Sequence, residues 1–172
     1  MQVERLAKYN LKEIPSGVAG IRETLKYMSR LTNSYKKSPV IRELALAIVK
    51  DIPPKKWQRE VNAIFRYVRD TIRYTKDIRG CETLQTPVQT LKIKQGDCDD
   101  QSMLAAALLE TIGHPTRFVA VGFTPNSFSH VFVQTKIGNK WITLECTMEK
   151  WRLGQTPRNI KNKIIQDNYN VR

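Results

Sequence analysis

The sequence predicts an α+β fold in which N-terminal helices and one cysteine-bearing helix pack on a small antiparallel sheet. In the first 72 residues, apolar side chains recur every three or four positions, which is the spacing of one helix face. A second helical segment follows a cysteine at residues 99–112, and strand-like segments rich in apolar residues begin at residue 116. A run of helices followed by a run of strands is typical of α+β folds.

Length and composition indicate one globular domain. The 172 residues are 41% hydrophobic and 26% charged, and they are enough to bury one core. No run of 18 apolar residues occurs, so we expect no membrane partner. The start, MQVERLAKYN, lacks the apolar stretch of a secretory signal, and we therefore expect a cytoplasmic location.

The first third of the chain is predicted to be helical. The first helix is indicated by four apolar residues at helical spacing: Ile21, Leu25, Met28 and Leu31. A second helix starts at Pro39 and ends before Pro53-Pro54. A third, amphipathic helix covers residues 57–72 and buries one apolar stripe as scaffold.

The next helix carries a cysteine at its start. Residues 73–95 have no regular pattern and are predicted to form a long irregular connection. The helix over 99–112 begins with acidic residues and continues with Met, Leu and Ala, which favour helices. Gly113 is its expected stop, and Cys98 lies at its start.

Strands are predicted after this helix, over Thr116–Phe123, Ser129–Ile137 and Trp141–Thr147. Gly138-Asn139 suits a tight hairpin between the last two. Beyond Trp151 the pattern is weak, with one short helix predicted around Ile160–Ile165.

We predict a core with two flanks. They are an N-terminal helical extension over residues 1–56 packed on the core, a core over 57–150 and a basic C-terminal tail over 151–172. The net charge of +13 is concentrated in the flanks, since residues 1–60 carry +7 and residues 151–172 carry +4. This excess would attract an acidic partner, although a solvated surface is the simpler explanation. We expect no nucleic-acid partner, because aromatic residues are not interleaved with the basic ones.

Cys98 is a candidate nucleophile because a helix N-terminus favours an anion, which lowers a thiol's pKa. Three aspartates, Asp97, Asp99 and Asp100, surround it with negative charge that opposes the thiolate. We expect one of these aspartates to cap the helix rather than touch the sulfur.

The predicted hairpin gives a geometric test of whether His130 and Glu145 can be in contact. With a two-residue turn at Gly138-Asn139, His130 and Glu145 become diagonal neighbours, roughly 7–8 Å apart at the backbone. The carboxylate would then hold one imidazole nitrogen while the other points elsewhere. This is the orienting arrangement of a catalytic triad, and Cys98 should lie opposite.

The remaining candidates have simpler explanations. His114 lies in a Gly-His-Pro turn and is predicted to be an exposed loop residue, and Cys81 and Cys146 are predicted to be structural. We expect no metal or cofactor, because close zinc-ligand pairs are missing and the GDCDD cluster lacks the ligand repeat of a calcium loop.

Residues about 57–150 resemble the transglutaminase-like core, a branch of the papain-like cysteine hydrolases and transferases. The resemblance rests on four stretches in family order: IRY at the end of the third helix, TPVQTL, GDCDDQSMLAAALLETIGHPTRFVAVGF and SHVFVQTKIGNKWITLECT. It places the family's nucleophile at Cys98, its histidine at His130 and its acidic residue, usually aspartate, at Glu145. The backbone N–H of Cys98 would supply one oxyanion donor, and Gln95 is a candidate for the second.

The resemblance also implies a papain-like fold and a thioester formed by attack of Cys98 on an amide carbonyl. Water as acceptor would hydrolyse the peptide or protein substrate, and an amine would give acyl transfer. We favour hydrolysis, because compact bacterial or phage members of this superfamily resemble peptidases. The alternative is a binding or assembly module that keeps the fold and uses its basic flanks to hold an acidic partner.

Overall fold

The computed structural model describes residues 13–77 and 83–168, with Cys81 outside these ranges. It contains five helices: α1 (Gly17–Tyr35), α2 (Pro39–Val49), α3 (Trp57–Thr71), α4 (Pro87–Ile93) and α5 (Cys98–Thr111). Six strands complete it: β1 (Arg73–Tyr74), β2 (Gln95–Gly96), β3 (Thr116–Gly122), β4 (His130–Ile137), β5 (Lys140–Leu144) and β6 (Asn162–Asp167). The predicted α+β class is therefore confirmed.

Helix α5 is the centre of the fold. All of its residues from 99 to 109 are buried, because the other four helices and strands β3 and β4 contact it from different sides. A helix that is apolar on all sides must be buried in this way. Gly113 has a φ of +92° just after the helix, which agrees with its predicted role as the stop.

Strands β3 to β6 form one antiparallel sheet in the order β5-β4-β3-β6. Ile137 pairs with Lys140, so Gly138 and Asn139 form the predicted two-residue turn. Gly138 has a φ of +58°, which a tight turn of this kind requires and which glycine adopts without strain.

The predicted helix around Ile160–Ile165 is wrong, because this segment contains strand β6. Val119 of β3 pairs with Ile165, and β6 forms one edge of the sheet. Ile164 is 8% exposed and Ile165 is 40% exposed, which is the alternation of a strand with one buried face. The pattern is too short to identify a strand without its distant partner.

The connection over residues 73–95 is more regular than predicted. It contains α4, which Pro87 begins and the Thr86 hydroxyl caps by accepting a hydrogen bond from the backbone N–H of Gln89. Strands β1 and β2 pair in parallel, with Arg73 opposite Gln95. A threonine cap followed by proline is a recognisable helix start that the sequence analysis missed.

Buried polar contacts attach α1 to the rest of the molecule. The Asn168 side chain accepts a hydrogen bond from the Ser29 hydroxyl at 2.6 Å, and its backbone oxygen accepts one from Asn33 at 2.7 Å. Lys36 forms an ion pair with Glu110 of α5 at 2.7 Å. The second half of the helix is therefore fixed at several points.

Within residues 13–77 and 83–168, every helix is too short or too polar to cross a membrane.

Candidate active site

Cys98 occupies the first position of α5, and Asp97 caps the helix. The Asp97 carboxylate accepts hydrogen bonds from the backbone N–H groups of Asp99 and Asp100 at 2.9 and 3.1 Å. In return, the Asp100 carboxylate accepts one from the Asp97 N–H at 3.3 Å. This reciprocal capping box confirms that an aspartate begins the helix and fixes the position of Cys98.

Asp97 caps the helix as expected, whereas a different aspartate, Asp99, touches the sulfur. Asp99 Oδ1 lies 3.5 Å from Cys98 Sγ, close enough to accept a hydrogen bond from the thiol. Burial raises the pKa of the Cys98 thiol well above its ordinary value, and the negative charges of Asp99 and Asp97 raise it further. A raised pKa favours the neutral thiol in the resting state, against the opposing influence of the helix N-terminus.

The predicted contact between His130 and Glu145 is present in the structure. His130 Nε2 lies 2.6 Å from Glu145 Oε2, and the Glu145 side chain is 1% exposed. Thr147 donates two more hydrogen bonds to the other carboxylate oxygen, from its backbone N–H at 3.2 Å and its hydroxyl at 2.7 Å. The ring of Phe132 lies 6.3 Å from the imidazole, centroid to centroid. The imidazole is therefore held on two sides, with Nδ1 as its remaining nitrogen.

Cys98 and His130 line the same open cavity, which has a volume of about 280 Å³. The cysteine comes from the start of α5 and the histidine from the start of β4. A backbone hydrogen bond between Val131 and the Cys98 sulfur, which lowers the thiol's pKa, brings these two elements together. Gln95 pairs in β2 and is not among the residues that line this cavity, so the structure does not bring it to Cys98.

Two features of the cavity were missed by sequence reasoning. Tyr74 lines it, and the pKa of its hydroxyl is raised by burial and by the neighbouring Cys98 and carboxylates. Helix α1 also contributes to the wall through Ile21, Thr24 and Leu25. Tyr74 precedes the cysteine by 24 positions, and α1 is more distant still, so no local spacing indicates either contact.

Asp100 connects the start of α5 to the segment before α4. Its carboxylate accepts hydrogen bonds from the backbone N–H and the side-chain amide of Gln85, both at 2.8 Å. Burial, and next the charge of Asp97, raise the pKa of Asp100 to about 7. A Cβ on Gly96 would lie 2.6 Å from the Asp100 side chain, so this close approach requires glycine.

His114 is not the exposed loop residue that the sequence suggested. It is 7% exposed, and its Nε2 lies 2.7 Å from Glu60 Oε2 of α3. The turn after α5 packs against α3, where this carboxylate supplies a partner for the ring. Cys146 is buried in the main core, as predicted, and burial raises the pKa of its thiol.

Asp97, Cys98 and Asp99 also form a group in which one ligand atom from each lies within 4.8 Å of the others. Two carboxylates and one thiolate could contact a cation, but they provide fewer oxygens than the six to eight ligands calcium prefers. The absence of a metal requirement stays a prediction.

Several solved structures are similar to this chain in fold. A candidate cysteine protease from Cytophaga hutchinsonii aligns with a TM-score of 0.52 and 23% identity, covering 76% of this chain and 47% of that one. A candidate protease from Parabacteroides distasonis gives a TM-score of 0.55 and 16% identity, over 68% and 25% of the two chains. Calcium-bound LapG from Legionella pneumophila gives 0.54 and 17%, over 80% of each chain.

The present chain therefore spans about half or less of the length of the first two proteins. At these identities the likeness concerns the fold alone, and it confirms the papain-like arrangement. The search of curated proteins found no match. The family model described as the transglutaminase-like superfamily matches residues 42–146, which is more than half of the chain. The chain belongs to the transglutaminase-like superfamily.

Proposed function

We propose that this protein is a cysteine-dependent hydrolase of peptide or amide bonds, with Cys98 as nucleophile, His130 as base and Glu145 as the residue that orients His130. The observation that carries the proposal is the cavity shared by Cys98 and a histidine whose other side is bound to a buried carboxylate. Nucleophilic catalysis requires a nucleophile, a base that can take its proton and a third group that orients the base.

The raised pKa of Cys98 decides how the nucleophile is formed. A neutral resting thiol must lose its proton during the reaction, and His130 Nδ1 is the nitrogen available to receive it because Nε2 faces Glu145. The sulfur then attacks the carbonyl carbon, and the imidazolium returns the proton to the leaving amine as the C–N bond breaks. A water molecule, deprotonated by His130, cleaves the resulting thioester and releases the acid and the free thiol.

The oxyanion formed in both steps needs hydrogen-bond donors. The backbone N–H of Cys98 is a first donor, because the first N–H groups of a helix have no partner within it. Tyr74 lines the cavity and its hydroxyl is a candidate for the second. Gln95 remains the donor predicted from sequence, although it lies in β2 outside the cavity lining.

The proposal is tested by the rate at which iodoacetamide modifies each cysteine from pH 5 to 9, read separately by mass spectrometry. Alkylation of Cys98 should depend on His130, so His130→Ala should slow it roughly 10- to 100-fold because the base that removes the thiol proton is lost, whereas the rates at Cys81 and Cys146 should not change. His114→Ala is the matched control, because His114 is also a histidine paired with a glutamate but lies away from the cavity. Equal rates in the two variants would contradict the proposal.

The acceptor is identified in a second assay. The protein is incubated with casein and a biotin-labelled primary amine, and the products are analysed by mass spectrometry. New peptide termini that depend on Cys98 support hydrolysis, whereas Cys98-dependent labelling of casein by the amine would identify an acyl transferase. A protein with an unreactive Cys98 and neither product would be a binding module of the same fold.

A further inference from the structure

We infer that helix α1 forms the specificity wall of the Cys98 cavity and that Thr24 binds the main chain of a peptide substrate through its hydroxyl. This inference rests on the proposed function and names the part of the substrate that the site recognises. Helix α1 lies entirely before residue 42, where the family match begins. Its contribution to the cavity is therefore a property of this chain that the family match does not describe.

Three residues of α1 face the cavity: Ile21, Thr24 and Leu25. Their spacing of three and four places them on one side of the helix. Cys98 and His130 line the same space, so a peptide whose carbonyl reaches the sulfur must lie beside this side of α1.

The wall is held in place by the contacts of Ser29, Asn33 and Lys36 with other parts of the fold. These contacts lie one to three helical turns beyond Thr24. Because the helix is fixed, its side chains set the width of the cavity.

Part of the cavity is apolar and holds one unsatisfied polar group, and the remainder is lined by charged side chains, among them Lys76 and Asp77. Leu25, Ala120 and Val131 contribute apolar side chains, and each is less than a tenth exposed. Four buried side-chain polar atoms of the described residues have no hydrogen-bond partner. The Thr24 hydroxyl is the one of these four that belongs to a residue lining the cavity. An unsatisfied buried hydroxyl is unfavourable by about 1–3 kcal/mol, a cost that a ligand can remove.

The Thr24 oxygen is buried in the structure, so the side chain must rotate about χ1 to meet a substrate. Threonine in a helix has two usable χ1 rotamers, which makes this rotation accessible. The rotated hydroxyl can then exchange a hydrogen bond with a main-chain amide of the peptide.

The shape and chemistry favour an uncharged apolar side chain on the acyl side of the scissile bond. A volume of about 280 Å³ is at the lower end of ligand pockets, and it fits one or two residues rather than a folded segment. An acidic side chain would meet three aspartates and only one lysine, Lys76, among the described residues of the lining, and beside Leu25 and Val131 it would also lose hydration.

Thr32 provides a matched control on the same helix. Its side chain is fully buried and its hydroxyl also lacks a partner, but it is not among the residues lining the cavity. Replacing either threonine by valine keeps the shape and removes an unsatisfied group, so both variants should fold. Only the Thr24 change should affect peptide recognition.

The test uses two peptide acyloxymethyl ketones, acetyl-alanyl-leucyl and acetyl-alanyl-glutamyl, whose attachment to Cys98 is followed by intact mass. The leucyl compound should react faster, and Thr24→Val should slow it roughly 3- to 10-fold, the loss expected for one hydrogen bond. Thr24→Ser should recover most of the rate, and Thr32→Val should match the unmodified protein. Equal rates for Thr24→Val and Thr32→Val, or a faster glutamyl compound, would overturn the inference.

Iodoacetamide separates this failure from failure of the proposed function. If Cys98 reacts with iodoacetamide in a manner that depends on His130, but Thr24→Val does not change the peptide reaction, only the role of α1 is refuted. If His130→Ala leaves the iodoacetamide rate unchanged, the proposed function itself is refuted.

Discussion

The Cys98 thiol lies between opposing electrostatic influences. The start of α5 favours a thiolate, whereas burial and the carboxylate of Asp99 oppose it and raise the thiol's pKa. The sequence Asp-Cys-Asp-Asp shows that Asp99 lies next to Cys98. It does not show whether the Asp99 side chain points towards the sulfur. A side chain next to the helix start can point to the sulfur or away from it, and the backbone around it decides which.

Replacing Asp99 with asparagine should make Cys98 more reactive. Removing the negative charge 3.5 Å from the sulfur lowers the thiol's pKa, and each unit lowered gives about tenfold more thiolate at pH 7. The measurement is the iodoacetamide rate at Cys98. Asp77→Asn is the control, since Asp77 lines the same cavity but its carboxylate holds Thr83. A rate that is unchanged or lower in Asp99→Asn would contradict the electrostatic explanation.

Asp100 makes the stability of the fold depend on pH. Its pKa is about 7 in the folded protein and about 4 in an unfolded chain, so the folded state binds its proton more tightly. The stabilisation that Asp100 provides is complete below pH 4 and is lost as the pH rises through 7. Relative to Asp100→Asn, the unmodified protein should therefore lose free energy of unfolding between pH 4 and 8.

Urea titrations at several pH values would measure this difference. Asp70→Asn is a control of opposite sign, because a hydrogen bond from Arg69 lowers the pKa of exposed Asp70. The effect of the Asp70 change should be constant from pH 5 to 8 and change only in more acidic solution. A constant difference for Asp100→Asn over the same range would show that its carboxyl titrates normally.

At the scale of single elements, local signals were sufficient for some segments and insufficient for others. Helix α5 and the hairpin of β4 and β5 follow from composition, a glycine stop and a two-residue turn. Strand β6 was missed because its identity depends on pairing with β3, about 45 residues earlier. The diagonal contact of His130 with Glu145 was predictable because both residues flank one short turn.

Two adjacent isoleucines test β6. Ile164→Ala removes a side chain from the buried face and should lower the free energy of unfolding by about 2–4 kcal/mol. Ile165→Ala changes a side chain that is 40% exposed and should lower it by less than about 1 kcal/mol. Urea unfolding of both variants gives the comparison. Equal effects would be inconsistent with a strand that has one buried face.

At the scale of the whole molecule, residue 168 joins parts of the chain that are distant in sequence. Asn168 is fully buried, and it contacts Ser29 of α1 and the hydroxyl of Thr116 in β3. The sequence gives no sign of this, since one asparagine after a weakly patterned segment is usually a surface residue.

Deleting residues 151–172 would also remove β6, so a partner of the basic flank is better tested by Lys161→Gln and Lys163→Gln.

Asn168→Ala should destabilise the protein by about 2–4 kcal/mol, because Ser29 and Thr116 lose buried partners. Asn162→Ala is the matched control, since the exposed hydrogen bonds of Asn162 can be replaced by water. Its expected cost is below about 1 kcal/mol. Urea unfolding should separate the variants, and similar midpoints would show that Asn168 does not join these elements.

The contact between Ser29 and Asn168 spans 139 positions, which orders events during translation. Helix α1 leaves the ribosome long before residue 168, one of the residues that hold it, is made. Domains begin to fold from the N-terminal side as they are synthesised. The contacts of Asn168 with α1 therefore form only once residue 168 has emerged, so a nascent chain contains Cys98 before α1 is fully held beside it.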